Sequence, residues 1–288
     1  MPVSTRSIVL IHGLWMTPRS WDLWAERFRE QGHQVLAPGW PGIDDRSVAD
    51  VRTDPRPLEG IGLAEIADHY ESIIRTLPEK PIIMGHSFGG VLTQMLADRG
   101  LGAAYVGVEP GQTAGVLRVP LSTLWSGIPV LANPFGRNRA TPVSKRHFRF
   151  LFGNDLSRAE SDVVWEQLAV PSYNRVLFEG VQSVLDGRSG VTKVDYARAD
   201  RAPLLVITGG NDHVVPPAIG KALVAKYRRT GSPAVVDYKE FPGRTHRILS
   251  QEGWEEVADF ALEWALAHAI ASEQPLSGLP DGHGPSPQ

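Results

Sequence analysis

The chain has 288 residues, of which 42% are hydrophobic and 21% are charged, and its formal net charge is −3. This length allows one large core or two small ones, and the balanced charge gives no electrostatic reason to expect a nucleic acid or an anionic membrane as partner. The sequence contains no cysteine, which excludes disulfides, thiolate metal sites and a cysteine nucleophile.

Nothing in the sequence predicts export or a membrane span. Residues 1–6 run directly into an apolar strand, without the hydrophobic region of a signal peptide. No apolar run reaches the roughly 18 to 20 residues that a membrane helix needs. We therefore expect a cytoplasmic protein that acts on a small-molecule substrate, with neither a nucleic acid nor a membrane as partner.

Strand and helix patterns alternate along most of the chain. Short apolar runs rich in β-branched residues predict six strands, over residues 7–11, 34–37, 81–84, 103–108, 203–207 and 234–238. Apolar residues at helical spacing predict helices around residues 21–31, 63–77, 91–99, 218–229 and 254–271. This alternation is typical of an α/β protein and predicts a mostly parallel sheet of about six strands, with helices on both faces.

Residues 112–195 interrupt this alternation. They contain no convincing strand, but they carry short helical patterns and many aromatic residues. Because structureless loops of that length are rare, we expect a helical cap here. The α/β core domain then comprises residues 1–111 and 196–272. Residues 273–288 are rich in Pro, Gly and Ser and predict a disordered tail.

The strongest motif is Gly85-His86-Ser87-Phe88-Gly89-Gly90, which follows the predicted strand at 81–84 and precedes a helix. A Gly-x-Ser-x-Gly pattern alone is weak evidence, but it is specific in a strand–turn–helix context. There the serine occupies a strained turn that only small neighbours permit. The turn raises the hydroxyl above the sheet at the start of a helix, so Ser87 is the predicted nucleophile.

A serine hydroxyl needs a base that takes its proton. Of the nine histidines we choose His246, because it lies between the last predicted strand and the last helix, at the same edge of the sheet as Ser87. The base needs a carboxylate that holds its tautomer. Asp212 follows the strand at 203–207 and gives the chain order serine, aspartate, histidine. Glu109, which ends the strand at 103–108, is the alternative acid.

Two backbone N–H groups are predicted to form an oxyanion hole. One belongs to Phe88, directly after the serine, and the other to Leu14, in the loop after the first strand. Four further side chains are expected to form pocket wall or to touch substrate: Trp15 and Met16 in the same loop, and Trp125 and Phe148 in the cap.

Taken together, these residues resemble the α/β-hydrolase superfamily. The resemblance covers residues 7–111 and 200–271, and it rests on His12-Gly13 after the first strand and on the three predicted triad residues. The short N-terminus and the Gly-His-Ser-Phe-Gly-Gly motif look like the branch of plant methylesterases and hydroxynitrile lyases, and also like many small bacterial esterases. The chain departs from the commonest pattern because it lacks an opening antiparallel hairpin.

The resemblance implies a fold but no substrate, since one fold hosts many functions. We expect a serine hydrolase that cleaves a carboxylic ester or lactone of a small to medium apolar substrate through an acyl-enzyme. The alternatives are a lyase or carbon–carbon bond hydrolase on the same triad, which could recruit Lys145 or Lys193, and a ligand-binding protein with vestigial hydrolase activity. The sequence has no metal cluster, dinucleotide motif or phosphate loop, so we expect no cofactor.

Overall fold

The computed structural model describes residues 6–187 and 190–269, and the predicted tail at 273–288 lies outside the described residues. In chain order the strands are β1 (Ser7–Ile11), β2 (Gln34–Leu36), β3 (Ile82–His86), β4 (Ala104–Val108), β5 (Ala140–Thr141), β6 (Ser172–Tyr173), β7 (Leu204–Gly209) and β8 (Val236–Phe241). The α-helices are α1 (Asp22–Glu30), α2 (Val48–Thr53), α3 (Leu63–Ile74), α4 (Phe88–Asp98), α5 (Leu121–Leu131), α6 (Lys145–Phe152), α7 (Arg158–Leu168), α8 (Asn174–Asp186), α9 (Pro217–Arg228) and α10 (Trp254–His268).

Six of these strands form one sheet, in the order β2-β1-β3-β4-β7-β8. Every neighbouring pair in this sheet is parallel. The predicted sheet of six strands with helices on both faces is therefore confirmed. Because all six strands run in one direction, their carboxyl ends meet at the same edge, and the loops that follow β1, β3, β4, β7 and β8 converge there.

Alternate residues of the central strands face opposite sides of the sheet. In β1, Val9 and Ile11 join the core that contains α3, α4 and α9, whereas Ile8 and Leu10 join the core that contains α1 and α10. All four side chains are fully buried. Since helices cover both faces, the central strands appear in the sequence as continuous apolar runs rather than as alternating ones.

Helices α5 to α8 lie between β4 and β7, in the segment that we predicted as a cap; we call residues 112–195 the helical insertion. The expectation that it contains no strand is wrong, because Ala140–Thr141 pairs antiparallel with Ser172–Tyr173. Strands of two residues leave no periodic pattern in a sequence. The insertion bonds to the loops at the carboxyl edge: the Val170 N–H donates to the Trp15 carbonyl at 2.9 Å, and the Tyr173 hydroxyl to the Pro41 carbonyl at 2.8 Å.

Two helices differ from the prediction. The six-residue α2 was missed, because it is too short for apolar periodicity; it begins with a capping box between Ser47 and Asp50. Helix α4 begins at Phe88 rather than at residue 91, since the glycines at 89 and 90 disfavour a helix in sequence but are required by tertiary contacts. None of the helices in the described residues is both long enough and apolar enough to cross a bilayer.

Candidate active site

Ser87 alone forms the turn between β3 and α4. Its backbone has φ 56° and ψ −119°, and a positive φ is uncommon for a residue with a side chain. Gly85 and Gly89 make the turn possible. A Cβ on Gly85 would lie 2.1 Å from the Gly89 carbonyl oxygen, and a Cβ on Gly89 would lie 2.1 Å from the carbonyl oxygen of Ile11. The predicted strained turn is therefore present, and it holds the Ser87 hydroxyl above the carboxyl edge of the sheet.

The three predicted triad residues lie in hydrogen-bond contact. The Ser87 Oγ lies 3.0 Å from His246 Nε2, and His246 Nδ1 lies 2.7 Å from Asp212 Oδ2. The other oxygen of Asp212 accepts the backbone N–H groups of Val214 at 2.6 Å and Val215 at 2.9 Å. In the uncharged ring, His246 Nδ1–H donates to Asp212 and Nε2 accepts from the serine hydroxyl, which is the tautomer that a general base needs.

Glu109 is a second carboxyl group beside the same histidine. It directly follows β4, has φ 48° and is fully buried. Its Oε2 lies 3.3 Å from His246 Nδ1 and 3.3 Å from His86 Nε2. Asp212 is thus the nearer partner of His246 Nδ1, at 2.7 Å, and Glu109 contacts the same ring nitrogen at the longer distance. His86, Glu109 and His246 also offer three potential metal-ligand atoms within 4.8 Å of one another. The Glu109 oxygen, however, already contacts both histidine nitrogens at 3.3 Å.

Burial and mutual charge perturb the protonation of this cluster. Burial, followed by the charge of Asp212, raises the pKa of Glu109 from 4.5 to about 8. Burial alone would lower the pKa of His246, but the charge and hydrogen bond of Asp212, assisted by Glu109, outweigh burial and raise it. Burial and the neighbouring His246 lower the pKa of His86. At neutral pH we therefore expect a protonated Glu109 and a neutral His86.

The predicted oxyanion donors lie next to the serine. Leu14 and Phe88 both line the cavity that contains Ser87, and neither N–H has an acceptor among the described residues. His12 fixes the loop that carries Leu14: its Nδ1 bonds to the Gly13 carbonyl at 2.9 Å, and its Nε2 accepts the Trp40 N–H at 3.2 Å. Burial lowers the pKa of His12 to about 4, so this ring is a neutral structural element.

A cavity of about 100 Å³ opens above Ser87 and His246. Apolar side chains form most of its wall. They come from the loop after β1, the start of α4, the segment before α5, helices α5, α6 and α8, and the loop after β7: Leu14, Trp15, Phe88, Val119, Leu124, Leu131, Phe152, Leu177, Val181, Val214 and Val215. Trp15 lines the cavity, as expected. Met16, Trp125 and Phe148 do not line the cavity.

Each of these three side chains lies away from the cavity for a different reason. Met16 is buried in the core, and Trp125 is 54% exposed because its face of α5 points to solvent. Phe148 is buried one helical turn before the residue that reaches the site. That residue is Phe152, whose ring lies 5.3 Å from the His246 ring and 5.1 Å from the Phe148 ring. The spacing of four residues in α6 indicated one shared face, but not which end of it meets the cavity.

Neither lysine considered for a lyase lines the cavity. Lys145 pairs with Glu166 at 2.7 Å, and Lys193 is exposed in the loop before β7. Within the described ranges, the residues that line the cavity include no lysine. The site thus combines a serine, a histidine and two carboxyl groups with an apolar wall, an arrangement suited to acyl transfer.

Known proteins resemble this chain along most of its length. A monoacylglycerol lipase of Mycolicibacterium smegmatis is 29% identical over 276 residues, which cover 91% of this chain and 88% of that protein. The crystal structure of a Paleococcus ferrophilus monoacylglycerol lipase superposes with a TM-score of 0.62 at 19% identity, covering 91% of this chain and 94% of that chain. An extracellular alpha/beta-hydrolase from a Paenibacillus species gives a TM-score of 0.64 at 20% identity, covering 90% and 98%.

The two structural likenesses, at such low identity, support the fold. The family is shown by a sequence model described as the alpha/beta hydrolase family, which matches residues 8–260 and so spans the sheet, the helical insertion and the three predicted triad residues. The chain belongs to the alpha/beta hydrolase family.

Proposed function

We propose that this protein is a serine hydrolase that cleaves a carboxylic ester or lactone of a small to medium apolar substrate through an acyl-enzyme. One observation carries the proposal: the Ser87 hydroxyl, held in a strained turn, lies 3.0 Å from His246 Nε2 at the floor of an apolar cavity. The monoacylglycerol lipase of M. smegmatis, 29% identical, supports ester hydrolysis as the general reaction.

In the first half of the reaction, Ser87 Oγ attacks the carbonyl carbon while His246 Nε2 takes the hydroxyl proton. Asp212 holds the imidazole and stabilises the imidazolium that forms. The carbonyl oxygen becomes an oxyanion, which accepts hydrogen bonds from the N–H groups of Leu14 and Phe88. When the tetrahedral intermediate collapses, the carbon–oxygen bond to the alcohol breaks and His246 returns the proton to the leaving oxygen.

In the second half, water replaces the alcohol. His246 takes a proton from the water as its oxygen attacks the acyl-enzyme, and it returns a proton to Ser87 Oγ as the acid leaves. The wall of leucine, valine and phenylalanine side chains excludes water from the acyl group and provides few polar partners, which favours an apolar acyl or alcohol part. This is the basis for proposing an apolar substrate.

Hydrolysis of p-nitrophenyl acetate, butyrate and octanoate by the wild type and by Ser87→Ala tests the proposal. We expect the variant to lose about three or more powers of ten in kcat, as when a nucleophile is removed. Ser161→Ala is the matched control, because it removes a buried serine hydroxyl in α7 that has no partner among the described residues. Mass spectrometry after an organophosphonate should show one adduct in the wild type and in the control, and none in Ser87→Ala.

The proposal fails if the wild type hydrolyses no ester faster than Ser87→Ala does. It also fails if the phosphonate adduct maps to another residue. The chain-length profile of the wild type defines the size of the acyl pocket, since the three esters differ only in the acyl part.

A further inference from the structure

Helix α5 presents its apolar face to solvent. Leu121, Leu124, Trp125 and Ile128 follow the spacing i, i+3, i+4, i+7 of one helical face, and they are 83%, 49%, 54% and 44% exposed. The buried residues of this helix are Ser126, Gly127 and Val130. A surface helix of a globular protein normally buries its large apolar side chains, whereas α5 leaves four of them exposed.

Three further exposed apolar side chains flank the helix in sequence. Leu117 is 71% exposed, Val119 43% and Phe135 98%. Together with the four α5 residues they form what we call the apolar face: Leu117, Val119, Leu121, Leu124, Trp125, Ile128 and Phe135. These are seven of the twelve large hydrophobic side chains that are exposed within the described residues. Exposed apolar side chains concentrated in one segment in this way indicate an interaction site.

The segment that carries the apolar face is basic in sequence, and two of its cations, Arg139 and Lys145, pair with carboxylates outside it. Residues 112–154 contain six Lys or Arg residues and no Asp or Glu, although the whole chain has a net charge of −3. Arg118 lies between two members of the face, and Arg137 follows Phe135 by two residues; both are exposed, and neither forms an ion pair within the described part of the chain. The prediction of no membrane partner used the net charge of the whole chain, which does not reveal that this segment is basic.

We propose that the apolar face docks on an anionic lipid surface. Exposed leucine, tryptophan and phenylalanine side chains insert into the boundary between headgroups and acyl chains, and flanking arginines bind the negative surface. A second copy of the chain fits less well, because it would bring two basic segments together. The charge of the segment therefore selects an anionic membrane over self-association.

Docking in this orientation brings the lipid surface to the cavity. Leu124 and Val119 belong to the apolar face and also line the cavity above Ser87. Val181 in α8, which is 37% exposed, lines the same opening. An apolar molecule that is dissolved in the bilayer could then reach the cavity without crossing water. The binding itself does not require the proposed ester hydrolysis.

Sedimentation with vesicles tests the proposal independently of catalysis when the full chain carries Ser87→Ala. The vesicles are pure phosphatidylcholine, or phosphatidylcholine with about 30% phosphatidylglycerol. We expect at least about tenfold tighter binding to the anionic vesicles, lost at high salt. Leu121→Ser and Phe135→Ser should each weaken binding about tenfold, and Arg118→Gln and Arg137→Gln about fivefold each. On binding to anionic vesicles, the tryptophan fluorescence of the Ser87→Ala parent should shift to the blue, and Trp125→Phe in the same background should reduce this shift.

Matched controls lie outside the face. Val163→Ser changes an exposed valine of α7, and Arg229→Gln an exposed arginine that follows α9; both should bind as the parent does. Circular dichroism verifies that each variant is folded. Absent or equal binding to the two vesicle types overturns the proposal. A dimer in sedimentation velocity that Leu121→Ser dissociates would also overturn it, because the face would then be a contact between copies.

Discussion

Glu109→Gln should flatten the dependence of stability on pH. The pKa of Glu109 is raised from 4.5 to about 8, by burial first and then by the charge of Asp212. The unfolded chain ionises this carboxyl near its ordinary pKa, whereas the folded chain keeps it protonated up to about pH 8. Between these values the folded state holds one more proton than the unfolded state, so the free energy of unfolding falls as the pH rises. Glutamine carries no such proton, and the variant loses this dependence.

The size of the effect follows from the linkage of one proton. Its slope is about 1.4 kcal/mol per pH unit, so the wild type should lose about 3 kcal/mol more stability than Glu109→Gln between about pH 5 and about pH 7.5. The side chain is fully buried, so solvent does not screen the effect. At neutral pH the substitution replaces one neutral group with another of the same shape. We therefore expect kcat there to change by less than about tenfold.

Urea denaturation at a series of pH values measures the free energy of unfolding of the wild type and of Glu109→Gln, which gives one curve for each protein. Glu160→Gln is the control. Hydrogen bonds from Ser157 at the start of α7 lower the pKa of this exposed carboxyl, so its contribution is lost only at more acidic pH. Its curve should run parallel to that of the wild type over this range. If the curve of Glu109→Gln is also parallel, then Glu109 is ionised in the folded protein and the reasoning is wrong.

Three further substitutions test the site. Asp212→Asn should lower kcat on p-nitrophenyl butyrate about 10³- to 10⁴-fold, with KM little changed, because His246 loses the acceptor that fixes its tautomer. Gly89→Ala should destabilise the fold by about 2 kcal/mol or more in urea denaturation, because its Cβ would lie 2.1 Å from the Ile11 carbonyl oxygen. Val181→Phe should lower kcat/KM for the octanoate ester more than for the acetate, because it narrows the cavity opening without changing the core; equal losses on the two esters would contradict this.

Much of the fold could be predicted because its central strands are covered on both faces. Such strands consist of continuous β-branched runs, and residues 7–11 were predicted with the bounds that β1 has in the structure. β8 was harder to place. It lies at the edge of the sheet, only Val236 and Phe241 are buried, and its polar interior made the prediction end three residues early. The order of the strands carries no local signal, since it depends on which strands meet after folding.

The positions of Ser87, Asp212 and His246 could be predicted because each lies where a strand ends. Parallel strands bring those ends together, so chain order and loop position suffice to place them near one another. The cavity wall could not be predicted in the same way. Its residues come from helices of the insertion, and apolar periodicity reveals that a helix has a face but not whether that face meets substrate, core or solvent. Trp125 is the clearest case, because its face of α5 is turned outward.

Backbone strain is concentrated where the site is formed. Four non-glycine residues in the described ranges have positive φ: Trp15, Asp45, Ser87 and Glu109. Three of them follow β1, β3 and β4 at the carboxyl edge, and each directs a side chain or a neighbouring N–H group toward His246 or the cavity. Each costs on the order of 1 kcal/mol or more, so the surrounding sheet must hold them in place. A sequence rule that assigns positive φ to glycine fails at these positions because the rigid strands, and not local preference, determine their conformation.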